Sequence, residues 1–256
     1  MKHILSFSGG KDSTELGHFL IEQGYPLDEV VMFDTGWEFP QMYEHIEKFK
    51  RFVESNGVKF TVLRPRCDFD YLMFEKEVKE QGGGVHYGYS WCGAKRCRWG
   101  TAEKTAALDK YTQSGEGAIV YIGIAADELD RLEKERKPFK CFPLVENGIT
   151  EAMCLERCYL RGYDWGGLYD YLDRVSCKCC ANKNLKELRN IRKHCPQVWE
   201  ELKERQRKTK RPYKGEGKSV FQLDARFAFE EKRIAEGLSI RNKEFYMELK
   251  KIIEEV

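Results

Sequence analysis

The six consecutive residues Ser8-Gly9-Gly10-Lys11-Asp12-Ser13 have types and spacing suited to gripping phosphate. They follow an apolar, strand-like segment, His3-Ile4-Leu5-Ser6-Phe7, and lead into a helical pattern from Ser13 to Gln23. Glycines permit positive φ and let backbone amides approach phosphate oxygens closely. A helix start adds unpaired N–H donors and the positive end of the helix dipole. Lys11 supplies a point charge, while Ser8 and Ser13 supply hydroxyls. Asp12 is out of place in a pure anion site, and a bound magnesium would account for it. The spacing differs from Gly-x-x-x-x-Gly-Lys-Ser/Thr, so this is a different kind of phosphate loop. Lys11, Asp12 and Ser13 are the catalytic candidates, with Ser6, Ser8, Gly9 and Gly10 as binding residues.

These side chains need a scaffold, and the flanking pattern describes one. Glu29 to Phe33 reads as a second strand, ending in Asp34-Thr35-Gly36-Trp37-Glu38-Phe39-Pro40. Gln41 to Asn56 carries Met42, Ile46, Phe49 and Val53 at a helical period and is closed by Asn56-Gly57. Lys59 to Leu63 is a third strand. Ala118 to Ile124 is a fourth, running into Ala125-Ala126-Asp127-Glu128 with Arg131 beyond. Strands alternating with helices predict an α/β fold, a mostly parallel sheet with helices on both faces. Ligands bind such sheets outside the carboxyl ends of the strands. All three polar clusters fall at that edge, so Asp34, Thr35, Gly36, Glu38, Gly123, Asp127, Glu128 and Arg131 join the binding candidates. After about Pro143 helical periods dominate, over Glu151 to Leu160, Leu185 to His194, Gln197 to Arg207, Ala225 to Glu236 and Lys243 to Glu255. The expected organisation is therefore a nucleotide-binding α/β domain over 1–145 and a smaller helical, cysteine-containing region over 146–256.

The string from Ser8 to Ser13 resembles the signature of the ATP pyrophosphatase (PP-loop) superfamily, whose members bind adenine nucleotides and do chemistry at the α-phosphate. The segments around Asp34-Thr35-Gly36 and Gly123-Ile124-Ala125-Ala126-Asp127-Glu128 resemble its phosphoadenosine phosphosulfate reductase branch, over roughly residues 3 to 145. The resemblance implies an adenine nucleotide alpha hydrolase-like fold, with ATP or a related adenine nucleotide and Mg2+ as cofactors. Two departures bear on the reaction. Ala125 stands where that branch has an arginine, and no cysteine follows Cys195, where thioredoxin-dependent members carry a catalytic Glu-Cys-Gly-x-His tail. Both argue against a standard assimilatory reductase.

Ten cysteines in a chain expected to be soluble and cytoplasmic are not read as a disulfide framework. Cys177-x-Cys179-Cys180 is the densest group, and Cys177 with Cys180 has a spacing that reaches one metal or cluster from a turn. Cys97-Arg98-Trp99-Gly100-Thr101, followed by Lys104, resembles the Cys-Thr-x-x-Leu-Lys stretch of the reductase branch. By analogy with adenylylsulfate reductases, Cys97, Cys177 and Cys180, with Cys154 as the fourth, are candidate ligands of a four-iron four-sulfur cluster, zinc being the alternative. Cys92, Cys158 and Cys179 are rivals, Cys67, Cys141 and Cys195 read as structural, and plain core packing or a redox-active thiol pair remain open.

The composition, 41% hydrophobic and 34% charged, is that of a globular protein, and a net charge of +2 favours no partner class. The distribution is more telling. Lys203 to Lys218 carries eight Lys or Arg against two Glu, broken by Pro212, Gly215 and Gly217. It reads as an exposed basic connector, with Tyr213 available for stacking, and as a place where a nucleic-acid substrate would bind. Trp91, Trp99, Trp165 and Trp199 read as core or inter-helix anchors. No apolar run approaches the ~20 residues that cross a bilayer, and the start runs into a strand instead of a signal peptide. Three functions fit: an adenylylating enzyme that releases pyrophosphate and is linked to sulfur transfer, a reductase of adenylyl sulfate or its 3′-phosphorylated form, or a non-catalytic nucleotide or nucleic-acid binder.

Overall fold

The computed structural model describes residues 1–93, 95, 97–98, 100–113, 117–135 and 137–256. Trp99, one of the four expected anchors, lies outside the described residues. In chain order the elements begin with β1 (Lys2–Phe7), α1 (Lys11–Glu22), β2 (Glu29–Phe33), α2 (Pro40–Ser55) and β3 (Lys59–Leu63). A π-helical turn over Tyr71–Glu75 precedes a hairpin of β4 (Glu77–Lys79) and β5 (Val85–Tyr87). Next come α3 (Thr101–Thr112), β6 (Ala118–Ile122), α4 (Leu129–Glu135), β7 (Lys140–Cys141) and α5 (Pro143–Glu146). The rest is helical: α6 (Glu151–Leu160), a 3-10 stretch over Trp165–Asp170, α7 (Leu185–His194), α8 (Pro196–Arg207), α9 (Val220–Ala235) and α10 (Lys243–Glu254).

The expected fold class holds. Five strands form one parallel sheet in the order β3-β2-β1-β6-β7. β1 is central and β2 is buried along its whole length, which is why both read as near-continuous apolar runs. Strand order reverses between β1 and β6, so the loops that follow these two strands flank the switch point where such sheets bind ligands. Sequence periodicity missed β7, α3 and the β4–β5 hairpin. Two residues of β7 are too few to display a period, and α3 buries only Thr112. α9 begins at Val220, ahead of the expected Ala225, because Ser219 and Gln222 form a capping box.

The chain folds as two compact units, one of Met1–Arg66 with Glu103–Lys178 and one of Cys67–Ala102 with Cys179–Val256. This differs from a single boundary after residue 145. Residues 146–178 belong with the sheet because α6 packs on α1, where Arg157 and Arg161 pair with the buried Glu15 at 3.1 and 2.6 Å. In the second unit α7, α8, α9 and α10 pack in succession. Glu230, buried on α9, is held there by Arg189 and Arg226. Tyr213 is fully buried edge-on against Trp91, 4.8 Å between ring centres. It therefore corrects the expectation of an exposed stacking platform: Pro212 and Gly215 turn the chain inward, and the Tyr213 amide donates to Gln206 Oε1 at 3.0 Å. Trp91, Trp165 and Trp199 are buried, each within its own unit. No described helix is long and apolar enough to cross a membrane.

Candidate functional site

The phosphate loop is built by tight packing at the end of β1. Gly9 has φ +79, a conformation that side chains rarely adopt, and a Cβ there would meet Met42 Cε at 2.8 Å. Its carbonyl accepts from Trp165 Nε1 at 2.8 Å. Gly10 does not use the positive φ open to a glycine. It is extended (φ −83) and caps α1, its carbonyl accepting from the Thr14 amide and from the Ser13 and Thr14 hydroxyls. The Ser8 amide donates to Ser13 Oγ at 3.2 Å, and the two hydroxyls lie 3.0 Å apart. Ser6 lies upstream within β1, paired with Val31 and Ile122. The first-turn amides of Asp12 and Ser13 have no acceptor within the helix, which leaves donors at its positive end.

Across the switch point, Gly123 lets the chain after β6 touch the start of α1. A Cβ at Gly123 would lie 2.9 Å from Ser13 Cα and N. The loop beyond brings acids inward. Asp127 Oδ1 accepts from the Glu151 amide at 3.0 Å, beside the Thr150 cap of α6. Glu128 accepts from the Ala125 amide at 3.3 Å and pairs with Arg131 at 3.1 Å. Arg131 thus steadies Glu128. Ala125 is fully buried.

Glu151 is the functional candidate that sequence reasoning missed. It stands at the N-terminus of α6 with no motif around it, and only the packing of α6 on α1 places it. Lys11 Nζ donates to Glu151 Oε1 at 2.6 Å and to Asp12 Oδ2 at 3.3 Å. Burial works against the Lys11 ammonium, but Asp12 and Glu151 outweigh it and raise its pKa above the usual lysine value. Burial raises Asp12 as well, against the pull of Lys11 and with Glu151 and Glu128 adding to it. Among the described residues, Asp12, Glu128 and Glu151 are the one set of three potential metal ligands whose donor atoms lie within 4.8 Å of one another. Asp12 Oδ1 is buried without a hydrogen bond, meeting Lys11 only as an ion pair at 3.3 Å. An all-oxygen set with an orphaned carboxylate oxygen fits a hard divalent cation such as Mg2+. Tyr169 closes the same corner: its hydroxyl accepts from the Lys11 amide at 3.0 Å.

The loop after β2 forms the third part of the edge. Gly36 turns with φ +75, its amide donating to Asp34 Oδ1 at 2.8 Å, where Tyr43 also donates at 3.1 Å. Thr35 donates to Glu38 Oε1 at 2.9 Å, and the Cys177 thiol approaches the same oxygen at 3.5 Å. Burial raises the Glu38 pKa in spite of Thr35, Lys104 and Cys177.

Of the four cysteines expected as ligands, Cys154 and Cys177 belong to the first unit and Cys97 and Cys180 to the second. Cys154 and Cys158 are fully buried on α6, and burial raises both thiols, Cys158 to about 12. Cys158 donates to the Lys11 carbonyl at 3.5 Å, one turn along α6 from Cys154. Cys177 sits with Glu38 in the first unit. In the second unit, Cys97 accepts from the Gly100 amide at 3.2 Å, and Cys180, Cys179 and Cys92 lie near Tyr213. Among the described residues no three thiols come as close as the three carboxylates do.

Residues 2–137, more than half of the chain, match the model of the phosphoadenosine phosphosulfate reductase domain. The chain belongs to that family. Two uncharacterized proteins of Methanocaldococcus jannaschii are similar to it. One is 26% identical over 217 residues, covering 77% of this chain and 40% of its own length. The other is 25% identical over 198 residues, covering 76% and 45%. The chain thus spans less than half the length of these relatives. Among solved structures, a predicted subunit of tRNA methyltransferase from the same organism aligns at 16% identity and a TM-score of 0.36, over 77% of this chain and 88% of that one. The matched residues take in the loop Ser8 to Ser13, the loop after β2 and the acids after β6.

Proposed function

We propose that the chain activates an acceptor by adenylylation, using ATP and releasing pyrophosphate. The observation that carries this reading is the junction of Gly9, Gly10 and Gly123 around the start of α1, with Lys11 and three carboxylates at its mouth. A nucleophilic acceptor atom forms a bond to the α-phosphorus, the bond from that phosphorus to the bridging oxygen breaks, and its electron pair leaves with pyrophosphate. Lys11, released from Glu151 towards the phosphates, offsets charge at the α-phosphate. The Ser13 hydroxyl and first-turn amides orient the chain of phosphates. Asp12, Glu128 and Glu151 would hold Mg2+, which neutralises phosphate charge when bound. Asp34 and Glu38, in the loop after β2, would orient the ribose or the metal.

The test is pyrophosphate release from ATP with candidate acceptors, in wild type and Lys11→Ala. ATP binding without pyrophosphate release from any acceptor class would leave a nucleotide sensor and sink the proposal. Sulfur transfer onto the activated acceptor is a second reading, favoured by the Cys177 thiol at the Glu38 loop. On that reading Cys177→Ser retains pyrophosphate release and loses sulfur incorporation. Iron and labile-sulfide analysis of anaerobically purified protein tests the cluster at Cys97, Cys154, Cys177 and Cys180.

A further inference from the structure

The two units differ sharply in charge. The unit of Cys67–Ala102 and Cys179–Val256 holds 25 Lys and Arg against 18 Asp and Glu, a net +7, while the other holds 19 against 24, a net −5. The excess is not spread evenly over the basic segment. Lys203 pairs with Glu200 and Asp224, both at 2.9 Å, and Arg205 pairs with Asp70 at 3.2 Å. Lys214 donates to the carbonyls of Ala181 and Lys183 at 2.7 and 2.6 Å. These three cations hold the unit together.

Lys95, Lys210 and Arg211 are different. All three are exposed, and among the described residues none has a carboxylate partner. They line one open cleft of about 600 Å³ together with Gly93, Ser219 and Gln222, with Glu216 as the acid in its wall. Two chain segments distant in sequence build it: a Cβ at Gly93 would lie 4.0 Å from Arg211 Nε, and one at Gly215 would lie 4.0 Å from the Gly93 carbonyl. Arg207 and Lys208, also exposed, continue the positive surface along the end of α8. Unpaired cations on small-residue walls suit a ligand that brings a row of negative charges close to backbone, while Ser219 and Gln222 cap α9 at the cleft wall.

We propose that this cleft binds the phosphodiester backbone of a nucleic acid, with Lys95, Lys210 and Arg211 as the contacting cations. Phosphate contacts of this kind release condensed counterions, so binding weakens linearly in log salt, by about 0.7 per phosphate for a single strand and 0.9 for a duplex. Adenylylation plays no part in this inference, which stands on charge and shape in the second unit alone.

The experiment is fluorescence anisotropy of the full chain, without ATP, on single-stranded and duplex oligonucleotides in RNA and DNA form across a salt series. Lys95→Ala/Lys210→Ala/Arg211→Ala is expected to weaken binding about tenfold or more and to flatten the salt slope by about 2. A charge-matched control, Arg51→Ala/Lys110→Ala/Lys134→Ala in the other unit, is expected to bind as wild type does. Unchanged thermal melting of the cleft variant shows that its unit is folded. Equal losses in both triple variants, or an unchanged slope in the cleft variant, overturn the proposal. So does displacement of the oligonucleotide by polyglutamate at equal charge concentration, which would make the cleft a site for acidic protein. Retained ATP binding by a variant that has lost the oligonucleotide separates this cleft from the phosphate loop.

Discussion

Gly123 stands directly against Ser13, so close that a methyl group on it would lie 2.9 Å from both the Cα and the amide nitrogen of Ser13. The neighbour is helix backbone, which cannot swing aside as a long side chain does. Gly123→Ala therefore has to push the start of α1 away from β6. Overpacking of this kind costs about 1–3 kcal/mol, and the displaced first turn is the part whose amides bind phosphate in the proposed function. The expected outcome is a lower melting temperature together with ATP affinity reduced about tenfold, roughly 1.4 kcal/mol. Calorimetric titration with ATP checks it; wild-type affinity in a folded Gly123→Ala protein would show that this contact does not shape the loop.

Lys11 and Glu151 make the second relationship that matters to the site. Glu151→Gln keeps the side-chain shape and its helix position but removes one of three carboxylates around the metal candidate site. Mn2+ affinity, read by calorimetry in the absence of nucleotide, is expected to fall at least about tenfold, since cation sites are tuned by ligand charge. Folding stability should change little because Glu151 is 40% exposed. Unaltered Mn2+ binding would remove Glu151 from the ligand set and leave it as the partner of Lys11.

At Gly17 two physical effects compete. Alanine is about 1 kcal/mol better than glycine inside a helix, and Gly17 lies in the middle of α1. Its missing Cβ, however, would sit 2.4 Å from Phe49 Cζ and 3.1 Å from Leu5 Cδ2. Phe49 is fully buried and stacked on Phe7 with ring centres 4.4 Å apart, so the ring has nowhere to move. Packing is expected to win, and Gly17→Ala should lower the urea midpoint by the equivalent of about 1–2 kcal/mol. A stabilised variant would mean that α2 yields more easily than the geometry implies.

Local signals made part of this site readable. The strand before Ser8, the loop Ser8 to Ser13 and the helix after it are written in adjacent residues, and the acids after β2 and β6 follow apolar runs that end where they do. Glu151 was not readable, because its place beside Lys11 depends on α6 returning to pack on α1 through Glu15, Arg157 and Arg161. A glycine pair in a loop permits positive φ at both positions, and tertiary packing decides the use: Gly9 turns and Gly10 caps the helix. The basic segment shows the limit of charge counting. Lys203 and Arg205 are committed to Asp224 and Asp70, while Lys95, which lies far away in sequence, shares a cleft with Lys210 and Arg211. Composition reports how many charges a segment has; tertiary contacts decide which of them face a ligand.

His18 and His45 give the fold a defined acid sensitivity. Both are buried, His18 against Phe52 and the Tyr163 hydroxyl, His45 against Trp165 and the Thr14 hydroxyl. Burial lowers each to about 3, with Arg161 and Lys48 adding to it for His18, and Lys48 and His18 adding to it for His45. Both imidazoles are thus neutral in the fold, whereas the unfolded chain protonates them near pH 6.5. Their contribution is complete above about pH 6.5 and is lost progressively as pH falls towards 3. Between pH 6.5 and 5 the pair is expected to remove about 3 kcal/mol of stability. The raised carboxylates Asp12, Glu15 and Glu38 act in the opposite direction, since the fold binds their protons more tightly than the unfolded chain does. Comparing urea midpoints of wild type and His18→Asn/His45→Asn at several pH values cancels that opposing part. The double variant should show a flatter loss of stability on acidification, and equal slopes for the two proteins would mean that neither histidine is held neutral.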